Sequence, residues 1–219
     1  MELFPLPDPV KGIRGEPVPA FFPASGAVHS FIFGEAPGPR GADRSGIPFW
    51  GDGAGLPLYR ALEKAGCATV PAEAWRAWDG ARFVAESLRP WLHGVALSNA
   101  FPGCPSKDGR RFRAPSRAEL QSPANLRRLE AELQQAKERG ANQVATLGKC
   151  AKDTLAPLVE KAGLRLFVLP HPSAQGLLSE APNRGKGARL ADLQAAWEGR
   201  LVCGLLEAVS SHGKTSGAP

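Results

Sequence analysis

Three short stretches gather the residues with chemistry to offer. Residues 34–55 read GEAPGPRGADRSGIPFWGDGAG; seven of the 22 are glycine and three are proline, and among them stand Glu35, Asp43, Asp52 and Phe49. Residues 98–105 read SNAFPGCP around Asn99, and residues 171–176 read HPSAQG after His171. An asparagine amide sets a donor beside an acceptor and can read a hydrogen-bonding edge. A histidine can donate to an oxygen on which negative charge develops. A carboxylate can orient a water and offset positive charge. Backbone so rich in glycine is entropically costly to order, and a plain loop does not need it. Each residue type also has a simpler use: asparagine in turns, histidine in cores, aspartate in capping loop N–H groups.

These stretches need a frame to bring them together. Four apolar runs read as buried parallel strands, near residues 30–36, 94–101, 143–148 and 164–171. Helical patterns lie between them. One starts at Ser122-Pro123, a cap followed by proline, carries Leu126, Leu129, Leu133 and Ala136 on one face, and ends at Gly140. Another runs from about residue 149 to 162 before Gly163, and the last spans residues 188–209. Alternating strands and helices predict a three-layer α/β/α fold around a central four-stranded parallel sheet. In such sheets ligands bind at the carboxyl ends of the strands. The glycine-rich loop follows the first strand, Asn99 ends the second and His171 ends the fourth, so all three fall on one sheet edge.

Length and composition bound the partners. The 219 residues, 43% hydrophobic, suit one domain with a sizeable core over 1–219, with a Pro-rich irregular segment at 1–28 and a flexible tail from about 211. A net charge of +6 favours an anionic partner such as nucleic acid. No apolar run approaches a membrane span, and the N-terminal stretch lacks the basic start of a signal peptide, so a cytoplasmic protein is expected. Cys67, Cys104, Cys150 and Cys203 are far apart without a C-x-x-C pair. They read as small buried hydrophobes, with no metal and no cofactor expected.

Two nucleotide-binding motifs fail. Gly148-Lys149 is followed by Cys150 and preceded by Gln143 where a phosphate-binding loop needs glycine, and GEAPGPRG does not fit a dinucleotide fingerprint. The first motif instead resembles the uracil-DNA glycosylase superfamily, most closely the family-five form G-x-A-P-G-x-x-G-x-N-R-T-G-x-P-F-T-G-D. Gly34, Ala36, Pro37, Gly38, Gly41, Arg44, Gly46, Pro48, Phe49, Gly51 and Asp52 fall in register. Asp43, Ser45 and Trp50 depart from that pattern. LSNAFPGCP is similar to the asparagine-bearing strand end of families four and five, and HPSAQG to the H-P-S motif of families one and four. The iron–sulfur cysteines of families four and five are not matched beyond Cys104. Ala36 stands where family one has its aspartate, and Gln175 stands where family one has a wedging leucine.

The resemblance implies a monofunctional DNA glycosylase that hydrolyses uracil from DNA and leaves an abasic site, acting as a monomer in base excision repair. It assigns a cradle for a flipped deoxynucleotide to Gly34, Glu35, Ala36, Pro37, Phe49 and Asn99. Asn99 would read O4 and N3–H of uracil, Phe49 would stack under the base, and His171 would donate to O2. Asp52, then Asp43, would handle the water. Ser173, Gln175 and Gly176 would lie along the DNA, with phosphates tracked by Arg110, Arg111 and Arg113 in the basic stretch 107–128 and by Arg184 in RGKGAR. Three other readings share the frame: a glycosylase for hypoxanthine or xanthine, a catalytically weak nucleic-acid-binding relative, and an unrelated small-molecule enzyme.

Overall fold

The computed structural model of the chain describes residues 12–182 and 186–212. In chain order its elements are β1 (Val28–Gly34), α1 (Ala42–Ser45), α2 (Gly55–Lys64), β2 (Ala68–Thr69), α3 (Gly80–Ala85), β3 (Trp91–Leu92), β4 (Gly94–Asn99), α4 (Arg117–Leu120), α5 (Pro123–Glu138), β5 (Gln143–Leu147), α6 (Lys149–Ala162), β6 (Arg165–Leu169), α7 (Ala174–Glu180) and α8 (Leu190–His212), with a 3-10 turn at Ala72–Arg76. Four strands pair in parallel in the order β4-β1-β5-β6. Parallel pairing buries both faces of the sheet, which is why the strands read as continuous apolar runs. Ile32, Leu97 and Ala145 pack on one face with Leu58 and Leu62 of α2 and Trp197, Leu201 and Leu205 of α8. Phe31, Phe33, Ala96 and Val144 pack on the other with Leu129 and Leu133 of α5 and Leu155 and Val159 of α6. The expected three layers and four parallel strands are therefore observed. Truncating a core leucine such as Leu129 to alanine costs about 2–5 kcal/mol.

Local signals set the helix ends. The Ser122 side chain accepts the Asn125 N–H at 3.3 Å and Pro123 occupies the first turn, so α5 starts where the sequence placed it. Its last helical residue is Glu138 and Arg139 is the C-cap. Gly140 follows at φ 99° and ends the helix as expected, its N–H donating to Lys137 O and the Ala141 N–H to Ala136 O, each at 2.9 Å. On α5 it is Asn125, not Leu126, that is fully buried. The antiparallel pair β2–β3 adds to the four predicted strands; two residues per strand leave no periodicity to read.

The chain leaves β1 toward the α2–α3 layer and leaves β5 into α6 in the opposite layer, so a crevice opens at the carboxyl ends of these neighbouring strands. Ahead of β1, residues 12–22 run as an irregular strap. The Ile13 N–H donates to Gly109 O at 2.7 Å and the Val18 N–H to Pro102 O at 2.8 Å, and Phe21 exchanges two backbone bonds with Leu97. Residues 1–11 and 213–219, which hold much of the expected Pro-rich segment and tail, lie outside the described residues, as does Arg184. Among the described residues no helix is long and apolar enough to cross a membrane.

Candidate active site

Gly34 and Asn99 are register partners at the carboxyl ends of β1 and β4. A β-carbon on Gly34 would lie 2.6 Å from Phe49 Cζ and 2.8 Å from Asn99 Oδ1. Only glycine lets the ring and the amide meet there. Phe49 reaches that point with a φ of 64°, a backbone region that strains a bulky residue. Phe49 and Asn99 are 5% and 2% exposed, and Asn99 Nδ2 is buried without a hydrogen-bond partner. An unpaired buried donor is unfavourable by about 1–3 kcal/mol and marks a position awaiting an acceptor.

An aromatic cluster fastens the far side of the loop. Trp50 is fully buried, stacks on Phe83 at 4.3 Å and meets Tyr59 and Trp78 edge-on at 4.9 Å. Its indole donates to Leu88 O at 3.0 Å, and the Trp78 indole donates to Asp52 O at 2.7 Å. The departure at Trp50 thus serves anchoring, and stiff packing on one side helps hold the strained turn at Phe49.

His171 follows β6 and lies against Gly148 and Gly176; β-carbons there would sit 3.1 Å from His171 Cβ and 2.3 Å from its carbonyl oxygen. The Ser173 N–H donates to His171 Nδ1 at 3.3 Å, so the neutral ring carries its proton on Nε2. Burial lowers the imidazole below its usual pKa and keeps it neutral at neutral pH. The Ser173 hydroxyl caps α7 by accepting the Gly176 N–H at 3.2 Å, while Gln175 is exposed.

The three loop carboxylates sit in different surroundings. Asp52 Oδ2 accepts the N–H groups of Gly38 and Ala42, each at 3.1 Å, and desolvation raises its pKa against the pull of those bonds. Asp43 is 3% exposed, and its two oxygens accept the Arg14 and Gly15 N–H groups of the strap, each at 2.8 Å. Glu35 is half-buried and raised by desolvation, and it helps push the Cys150 thiol at the start of α6 up to about 11, burial being the larger cause. Ala36 is half-buried and Pro37 buried in the same turn.

The basic stretch divides. Asp108 accepts the N–H groups of Arg110 and Arg111, each at 2.9 Å, which shapes a turn with both arginines and Lys107 exposed. Arg113 instead forms a two-bond pair with Glu119, at 2.6 and 2.7 Å, so its guanidinium is already engaged. Arg128 turns inward onto the carbonyl of Asn99 at 3.0 Å. In the sequence it closes the basic stretch 107–128, and its residue type does not set it apart from the exposed arginines. The signal was there in the shared face of Asn125, Arg128 and Glu132, at helical spacing.

Cys67 and Cys104 are buried, Cys150 is half-buried and Cys203 is exposed, so Cys203 departs from the buried position expected of it. No three His, Cys, Asp or Glu side chains gather into a metal-holding group among the described residues, which include all four cysteines. Cys104, 3% exposed and pushed up to about 12 chiefly by burial, lies beneath the strap, with Gly15 packed against its carbonyl. These residues do not fit an iron–sulfur cluster. A cavity of about 620 Å³ lined by Phe21, Leu88, Trp91 and His93 opens near the amino end of β4, away from Asn99.

A family model described as the uracil-DNA glycosylase superfamily matches residues 23–198. The chain is also 34% identical over 103 residues to a type-5 uracil-DNA glycosylase of Thermus thermophilus, a match covering 45% of this chain and 41% of that protein.

Proposed function

The chain belongs to the uracil-DNA glycosylase superfamily, and from that membership we propose that it hydrolyses the N-glycosidic bond of uracil in DNA and leaves an abasic site. The observation that carries the reading is the meeting of Phe49 and Asn99 over Gly34, with Asn99 Nδ2 buried and unpaired. The glycosidic bond is out of reach in a duplex, so the nucleotide must first flip out of the stack. The base then lies on the Phe49 ring, where stacking contributes about 1–3 kcal/mol. Asn99 Nδ2–H donates to O4 and Oδ1 accepts N3–H. Cytosine presents the reverse pattern and leaves both groups unmatched.

As the C1′–N1 bond breaks, its electron pair moves onto the uracil ring and negative charge grows on O2. The neutral His171 donates from Nε2–H, a bond that strengthens as the charge develops. Water adds to the oxocarbenium-like C1′ and gives up a proton. Asp52 is the first carboxylate proposed for this step, since its two loop bonds fall on Oδ2, and its raised pKa suits a base. Asp43 is second, because both its oxygens hold the strap. Glu35, Ala36 and Pro37 supply backbone to the cradle. Ser173, Gln175 and Gly176 contact the DNA beside the H-P-S turn, and Arg110 and Arg111 meet phosphates; Arg113 is held by Glu119 instead, and Arg184 lies outside the described residues.

The reading treats the chain as one domain acting as a monomer in the cytoplasm, where a repair enzyme meets its DNA. The strap is hydrogen-bonded to the segments that follow β4, at Gly109 and Pro102, which ties the amino-terminal residues to the same domain. Release of free base from oligonucleotides carrying uracil, hypoxanthine or xanthine tests it.

A further inference from the structure

Asn99 Nδ2 makes no hydrogen bond that would aim the amide. Its direction therefore depends on the backbone that carries it, besides the packing beside Phe49 over Gly34. Three consecutive residues at the end of β4 are gripped by one helix. The Ser98 hydroxyl donates to Glu132 Oε2 at 2.8 Å. Arg128 Nη2 donates to Asn99 O at 3.0 Å and to Ala100 O at 3.1 Å. Asn125 Nδ2 donates to Ala100 O at 2.9 Å and to Leu120 O at the same distance. The clamp is itself braced: Arg128 Nη1 pairs with Glu132 at 2.6 Å, and Arg128 Nη2 also donates to Asn125 Oδ1 at 2.9 Å. From the opposite side, the Ala100 N–H donates to Gly34 O at 2.8 Å. Arg128 and Glu132 side chains are only 22% and 12% exposed, so the pair is sheltered from solvent.

We infer that Arg128, with Asn125 and Glu132, is a positioning set that fixes the aim of the Asn99 amide and so sets base discrimination. The inference rests on the functional reading above. Arg128 touches no reacting atom; it acts through Asn99. A planar guanidinium is suited to this, because one nitrogen spans two carbonyls while another holds the carboxylate. A lysine offers a point charge without the fork. A displacement of about 1 Å in a positioned group can lower a rate about a hundredfold.

The test is a double-mutant cycle. Single-turnover uracil release at saturating DNA is measured for the wild type, Arg128→Met, Asn99→Ala and the double variant, with DNA affinity and melting temperature alongside. The expected result is a roughly hundredfold loss for Arg128→Met in the wild-type background, little further loss in the Asn99→Ala background, and near-unchanged DNA affinity. Arg128→Lys should recover only part of the rate, and the ratio of uracil to cytosine release should fall in both Arg128 variants. Equal losses in both backgrounds would overturn the positioning role. Glu132→Gln, close to isosteric and unable to form the ion pair, runs in parallel and decides the matter if Arg128→Met does not fold. Absence of uracil release by the wild type overturns the functional reading, and the clamp's role with it; release by the wild type with additive losses overturns the clamp alone.

Discussion

Gly34 stands opposite Asn99 in the β1–β4 register, and its missing side chain is the space in which the Asn99 amide and the Phe49 ring come together. A methyl group there would push against both. Gly34→Ala is therefore expected to fold but to lower single-turnover uracil release by about a hundredfold, the scale of a misplaced reacting geometry. Circular dichroism and a melting curve check the fold. A Gly34→Ala enzyme as fast as the wild type would move the pocket away from this strand pair.

The two aspartates predict separable defects. Asp52→Asn should lower turnover at saturating DNA and leave DNA binding nearly intact, because the loss falls on the transition state. Asp43→Ala removes the acceptor for two strap N–H groups. Hydrogen bonds to a charged group contribute roughly 1.5–3 kcal/mol each, so its clearest sign should be a lower melting temperature and faster proteolysis within residues 12–18. If Asp43→Asn is inactive and Asp52→Asn turns over normally, the assignment of the water reverses.

Burial holds the His171 pKa below its usual value. The neutral ring is the favoured folded form, so this residue costs the fold nothing above the unfolded value of about 6.5. Its penalty appears as pH falls from there through the lower folded pKa. Nuclear magnetic resonance should find the ring titrating below 6.5 with its neutral proton on Nε2. A His171 that titrates above 6.5, or carries its neutral proton on Nδ1, would contradict the role of Nε2–H donor.

Salt dependence separates the arginines. Charge reversal at Arg110 and Arg111 should flatten the slope of log affinity against log salt by about 0.9 per lost phosphate contact. Reversal at Arg113 breaks its pair with Glu119 and should show mainly as lost stability. A slope that depends on Arg113 and not on Arg110 or Arg111 would place the DNA on another path.

The sheet was readable because strands buried on both faces are written as unbroken apolar runs, as in Phe31-Ile32-Phe33. The start of α5 was readable because Ser122-Pro123 is a local signal. The site was legible as three segments at strand ends, but their internal economy was not. Asp43 reads like any loop aspartate, and only tertiary structure shows its oxygens engaged by Arg14 and Gly15. Arg128 reads like its exposed neighbour Arg127 and differs only in facing β4. Trp50, an odd residue in its motif, finds its reason in Phe83, Trp78 and Tyr59, residues brought beside it by the fold.

The most direct measurement uses labelled oligonucleotides carrying uracil, hypoxanthine or xanthine, treated with the protein and then with alkali to cut at abasic sites. Wild-type protein should release free uracil and yield cut strands; Asn99→Asp should lose nearly all of this activity, and Phe49→Ala should lose the roughly 1–3 kcal/mol of stacking. Binding to uracil-containing DNA without release of any base, or uracil release unchanged in both variants, would contradict the account.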